Sequence, residues 1–142
     1  MYPYYFHYRQ NEKLINNLTK AINGEYSAVQ CYTKLAGMAP NAEQREQINE
    51  ILNDEKKHLQ QFTQIYTNLT GKQAQPKLSV GCPDGYHEGL RFSLKDEQET
   101  VDFYYDIADE ATDPIIKEVF KRAAADEQNH AVWFLYFFII EK

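Results

Sequence analysis

Asp54-Glu55-Lys56-Lys57-His58 and Asp126-Glu127-Gln128-Asn129-His130 are two copies of one pattern, Asp-Glu-x-x-His, set 72 positions apart. In a helix, a Glu and a His three residues apart share a face, one turn from each other. There they can offer an oxygen and a nitrogen to the same cation. One such pair is a weak signal. Glu fills 13 of 142 positions, so about 9% of histidines carry a Glu three residues before them by accident. Here two of the four histidines do, both follow an Asp, and both Glu residues have another Glu 30 positions upstream, Glu25 and Glu97.

The match extends well beyond the motif. Residues 19–62 aligned without gaps on 91–134 agree at ten of 44 positions, including Glu25/Glu97, Tyr32/Tyr104, Asp54/Asp126, Glu55/Glu127, His58/His130 and Phe62/Phe134. That is about 23%, against roughly 6–7% by chance, and marks an internal repeat. Two copies of one unit fold readily about a pseudo-two-fold axis, where a shared site draws matched residues from each half.

The unit is a helix pair. Leu14, Leu18, Ile22, Val29, Tyr32 and Leu35 recur at helical spacing, as do Ile48, Ile51, Leu52, Leu59, Phe62, Ile65 and Leu69. Asn41 with Gln44 reads as a capping box, and Gly71 as a helix stop. Residues 71–93 contain Pro76, Gly81, Pro83, Gly85 and Gly89, which predicts a long crossover loop. Ser93 is the expected cap of a third helix, and Asp113-Pro114 starts a fourth. The expectation is an all-α four-helix bundle, two antiparallel hairpins joined by one long crossover, in one domain spanning 1–142. Its helices are expected at about 9–38, 42–70, 94–112 and 114–140, with an irregular aromatic stretch over 1–8.

Glu25, Glu55, Glu97 and Glu127 interrupt the four apolar stripes, so all four point into the core. Each pair is centred on its own turn, at 40 and at 112, and lies roughly 22 Å from it at 1.5 Å per residue. The four therefore fall in one layer, with His58 and His130 one turn away. Four buried carboxylates would carry a charge of −4, and burying unpaired charge costs several kcal/mol per ion. Two divalent cations neutralise them, and carboxylate with imidazole suits iron, with manganese or zinc as alternatives.

This constellation resembles the ferritin-like di-iron carboxylate proteins, which take one Glu from each of two helices and Glu-x-x-His from each of the other two. Within them it is most similar to the rubrerythrin-like proteins, which share the duplicated hairpin; Ala21-Ile-Asn-Gly-Glu25-Tyr-Ser-Ala28 resembles their first-helix Gly-Glu motif. The resemblance covers about residues 10–138. It implies that Glu25 and Glu97 are terminal ligands, Glu55 and Glu127 bridging ligands, and His58 and His130 nitrogen ligands of two iron ions. It also implies that Asp54 and Asp126 accept the free imidazole N–H of the opposite histidine, with a place as surface acids as the alternative. Tyr32 and Tyr104 are further candidates near the site, with core packing as their first reading. The implied activity is reduction of hydrogen peroxide, or reaction with dioxygen, with ferroxidation as an alternative. A non-enzymatic metal-binding or assembly module is a third reading. Rubrerythrins often carry a second Glu one turn after the third-helix ligand, where this chain has Thr100. With no four-cysteine rubredoxin-like motif, the electron donor is expected to be external.

Composition limits the partners. Acidic residues outnumber basic ones by 21 to 15, for a net charge of −6, which argues against nucleic acid. Residues 131–140 are very apolar, but a membrane span needs about 20 such residues. A helix buried on most sides, or a homodimer contact, is the expectation. Cys31 and Cys82 form no CxxC pair and are expected to be neither a disulfide nor a metal site, Cys31 being a small packed residue. A reduced, cytoplasmic protein without a signal peptide fits. His7 and His87 are expected outside helices.

Overall fold

The computed structural model describes the backbone of residues 2–141 and the side chains of residues 11–141. Four helices account for nearly all of it: α1 (Tyr2–Met38), α2 (Ala42–Thr70), α3 (Tyr86–Glu110) and α4 (Pro114–Ile140). Helices α1 and α2 form one antiparallel hairpin and α3 and α4 the other, joined by residues 71–85. The described residues contain no strand.

The turn chemistry places the helix ends. The Asn41 side chain accepts from the Gln44 backbone N–H at 2.9 Å, capping α2. At the other end Gly71 adopts φ 72° and its N–H returns to Thr67 O, a left-handed stop that a side chain would oppose. Asp113 accepts from Ile115 N–H ahead of Pro114.

Two expected boundaries are corrected. Helix α1 begins at Tyr2 and not near residue 9. Pro3 lies in its first turn, where a missing N–H leaves no helical bond unmade, so the aromatic start continues the helix; His7 falls within it. Helix α3 begins at Tyr86, eight residues before the expected start, and includes His87, which is exposed and stacks on Phe138 at 4.2 Å. Gly89, read as a breaker, is a packing residue: a Cβ there would lie 2.7 Å from Leu35 Cδ1 of α1. Ser93 does not cap the helix. It is buried inside it, with its hydroxyl donating to Gly89 O at 2.7 Å.

The core is divided. One apolar cluster surrounds Leu18, Ile22, Phe62, Tyr104, Ile107 and Phe120. A second surrounds Tyr32, Leu35, Ile48, Ile51, Leu90 and Phe134. Between them lies a layer of buried polar side chains, the repeated glutamates and histidines. Glu99, Asp102, Asp106 and Asp109 fall on the exposed side of α3.

Candidate metal centre

Glu25 of α1, Glu55 and His58 of α2, Glu97 of α3, and Glu127 and His130 of α4 meet in this layer, each no more than 2% exposed. They form two overlapping groups: Glu25, Glu55, His58 and Glu127 in one, Glu55, Glu97, Glu127 and His130 in the other. Within each group the candidate donor atoms all lie within 4.8 Å of one another. Glu55 and Glu127 belong to both.

The pseudo-two-fold axis is visible in the distances. His58 Nδ1 lies 3.2 Å from Glu127 Oε1, 3.5 Å from Glu55 Oε1 and 3.6 Å from Glu25 Oε1. His130 Nδ1 lies 3.1 Å from Glu55 Oε1, 3.5 Å from Glu127 Oε1 and 3.6 Å from Glu97 Oε2. These two sets match within 0.1 Å.

The outer contacts cross from one hairpin to the other. His58 Nε2 lies 2.8 Å from Asp126 Oδ2, and His130 Nε2 lies 2.7 Å from Asp54 Oδ2. The aspartate accepts the Nε2–H of each imidazole, which turns Nδ1 toward the chamber. Arg122 and His58 together hold the Asp126 carboxyl below its ordinary pKa against the opposing effect of burial. The Tyr32 hydroxyl donates to Glu97 Oε1 and the Tyr104 hydroxyl to Glu25 Oε1. The tyrosines also pack on the repeated phenylalanines, Tyr32 on Phe134 at 5.1 Å and Tyr104 on Phe62 at 5.3 Å. Both are thus core residues whose polar tips hold a glutamate.

What is left over defines the site. Glu25 Oε2, Glu55 Oε1, His58 Nδ1, Glu97 Oε2, Glu127 Oε1 and His130 Nδ1 are buried without a hydrogen-bond partner. Each of the six residues contributes one such atom, and all face the same chamber. A buried polar atom left unpaired costs about 1–3 kcal/mol, so six in one place call for a common partner. Their chemistry, four carboxylate oxygens and two imidazole nitrogens, fits two transition-metal ions.

The electrostatics agree. Burial, followed by the charge on Glu55, raises the pKa of Glu25 and of Glu97. Burial and then Glu55, Glu97 and Glu25 do the same to Glu127. Burial also acts to raise Glu55, but the adjacent imidazoles of His130 and His58 outweigh it and the net shift is downward. Burial opposes the charging of His58 and His130, yet the surrounding carboxylates raise both well above an ordinary histidine. The chamber therefore demands positive charge, as protons or as metal.

A groove of about 470 Å³ runs along the α1–α3 flank beside this layer; Gly24, Asp96, Thr100 and Tyr104 are among its lining. Burial, then the charges of Glu97, Glu55 and Glu99, push Asp96 up to about 7.

The sequence reading fails at the cysteines. Cys31 and Cys82 form a disulfide, joining α1 to the crossover across 51 positions. The loop brings the two thiols together, a tertiary contact that no local spacing announces. Among the described residues, no helix is long and apolar enough to cross a membrane.

Comparison with known proteins places this geometry. The chain is 55% identical over 136 residues to YhjR, an uncharacterized protein of Bacillus subtilis (strain 168), covering 96% of this chain and 94% of that one. Its fold is similar to a bacterioferritin from Desulfovibrio desulfuricans described with a diiron site, with TM-score 0.79, 18% identity, and 92% and 80% of the two chains covered. It is also similar to a ferritin-like, diiron-carboxylate protein from Bacillus anthracis, with TM-score 0.78, 22% identity, and 91% and 97% covered. A hypothetical protein from Pyrococcus furiosus aligns with TM-score 0.79 at 21% identity, over 89% of each chain. The Rubrerythrin family profile matches residues 16–137. A ferritin-like bundle, a carboxylate and histidine cluster suited to a di-iron site, and a family match over most of its length together make this chain a member of the rubrerythrin family.

Proposed function

We propose that the chain is a non-haem di-iron oxidoreductase that reduces hydrogen peroxide, in defence against oxidative stress. The observation that carries this reading is the set of six unpartnered buried donor atoms in two groups sharing Glu55 and Glu127. Glu25, Glu55, Glu97 and Glu127 would hold two iron ions through carboxylate oxygens and His58 and His130 through imidazole nitrogens, with Glu55 and Glu127 available to both ions and Glu25 and Glu97 to one each. Iron bound there would supply two electrons together to the oxidant. The protein's own part is positional. Tyr104 and Tyr32 each occupy one oxygen of an outer glutamate and leave the other free. Asp126 and Asp54 fix the imidazoles. The two apolar clusters keep bulk water from the layer on either side, which strengthens every electrostatic contact within it.

An external donor returns the electrons. The exposed α4 face of Val132, Leu135, Tyr136 and Ile139 supports a homodimer contact. The setting we infer is the cytoplasm, where a disulfide persists chiefly as one that opens and closes.

The deciding experiment is anaerobic loading with Fe(II), followed by separate additions of hydrogen peroxide and dioxygen while the near-ultraviolet absorption is recorded. Faster oxidation by peroxide is expected. Oxidation by dioxygen at an equal or greater rate would replace this reading with ferroxidation, and no metal uptake at all would leave only a structural module.

A further inference from the structure

The crossover is fastened to α1 along a single line. Lys77 N–H donates to Asn23 Oδ1 at 2.9 Å, and Ser79 N–H to Ser27 Oγ at 2.8 Å. Cys82 is bonded to Cys31, and Asp84 pairs with Lys34 at 2.7 Å. Positions 23, 27, 31 and 34 follow at four, four and three, one stripe of a helix. Residues 77–84 therefore form a strap lying lengthwise on α1. Little apolar burial holds it, since Leu78 and Val80 are 57% and 46% exposed. The Asp84–Lys34 pair is solvent-exposed and contributes little. The disulfide is the one covalent fastening.

The strap lies over the α1–α3 flank. Beneath it lies a cavity of about 20 Å³ between α1 and α3, walled by Cys31 and Tyr32 of α1, Ser79 and Val80 of the strap, and Phe92 and Asp96 of α3. That is room for about one water. Tyr32 is the residue whose hydroxyl holds Glu97. Ser79 also borders the larger groove on the same flank, which Tyr104 lines. Gly24 contributes to both spaces.

We propose that Cys31–Cys82 is a thiol–disulfide exchange site for a dithiol reductant, and that its reduction unfastens the strap and opens the α1–α3 flank of the carboxylate chamber. Cys31 is buried and Cys82 is partly exposed between the exposed Gly81 and Asp84, so Cys82 Sγ is the atom an incoming thiolate reaches. That attack forms a mixed disulfide and expels the Cys31 thiolate, which takes up a proton. The reductant's second thiol then closes its own disulfide and releases Cys82. Two electrons and two protons pass from the dithiol to the chain, and a disulfide oxidant reverses the step. The consequence for access rests on the metal-centre reading; the exchange chemistry does not.

The test compares the oxidised chain, the chain reduced by dithiothreitol and freed of it anaerobically, and the Cys31→Ser/Cys82→Ser variant. Hydrogen exchange reports the strap and cobalt(II) uptake reports the chamber. Reduction of the folded chain should raise exchange at the Lys77 and Ser79 amides roughly tenfold or more, with the interiors of α2 and α4 unchanged, a local opening. Cobalt(II) uptake should accelerate by a similar factor, and the double variant should match the reduced chain. Equal strap exchange in both redox states, or thiols released only on global unfolding, would overturn the proposal. A loosened strap with unchanged cobalt uptake would refute its gating role while leaving the metal centre intact. If neither state takes up cobalt, the metal reading fails, and the strap exchange still decides the latch. If the variant does not fold, the native chain in its two redox states suffices.

Discussion

Glu55 and Glu127 each serve both donor groups, whereas Glu25 and Glu97 serve one each. The residues are therefore unequal, and substitutions separate them. On the proposed two-ion centre, Glu55→Gln should reduce bound metal from about two per chain to below about one, because both ions would lose a ligand. Glu25→Gln should weaken one ion and spare the other; metal analysis after gel filtration distinguishes the two results. Tyr104→Phe keeps the packing against Phe62 but strips the partner from Glu25 Oε1. It should cost the protein about 1–3 kcal/mol in urea unfolding, and Tyr32→Phe should do the same at Glu97. Asp126→Ala, which frees the His58 imidazole, should lower metal affinity about 10–100-fold in a chelator competition. The glutamates were legible because a carboxylate breaking an apolar stripe is conspicuous. The tyrosine hydroxyls were less so, since a tyrosine suits such a stripe whether or not its tip has a partner.

At the scale of elements, α2 and α4 follow the sequence pattern closely because their caps are local: Asn41, Gly71 and Asp113 each act within a few residues. The start of α3 depends on a neighbour instead. Gly89 is useful because Leu35 of α1 sits where its side chain would be, and nothing adjacent in the chain reveals that. The crossover likewise reads as structureless until α1 is beside it. Its disulfide spans 51 positions, including all of α2. Closing a loop of that size limits the unfolded chain and is worth about 4 kcal/mol on chain-entropy grounds. Reduction, or Cys82→Ser, should lower the urea midpoint accordingly while leaving the helical circular dichroism of the folded state in place.

For the whole molecule, charge in the layer links metal, protons and stability. Glu25, Glu97, Glu127, His58 and His130 all have raised pKa values in the metal-free fold. A raised folded-state pKa stabilises at low pH, and that contribution is lost as pH rises through the folded value. The metal-free protein should therefore lose stability as pH climbs above the ordinary glutamate value of 4.5, with Glu55 alone of the six acting in the opposite sense. Metal must displace those protons, so loading at constant pH should release acid, measurable in a pH-stat, and affinity should rise with pH. Calorimetric melts of apo and loaded protein across pH would show the two trends diverging.

The bonds that complete the centre all run between hairpins: His58 to Asp126, His130 to Asp54, Tyr32 to Glu97 and Tyr104 to Glu25. Neither half owns a finished site. During synthesis the first hairpin emerges with Glu25, Glu55 and His58 facing an unmade partner, and Asp126, Glu127 and His130 follow only with the second hairpin. On the proposed metal reading, capture must await the second hairpin, and separately expressed hairpins should remain metal-free until they are mixed.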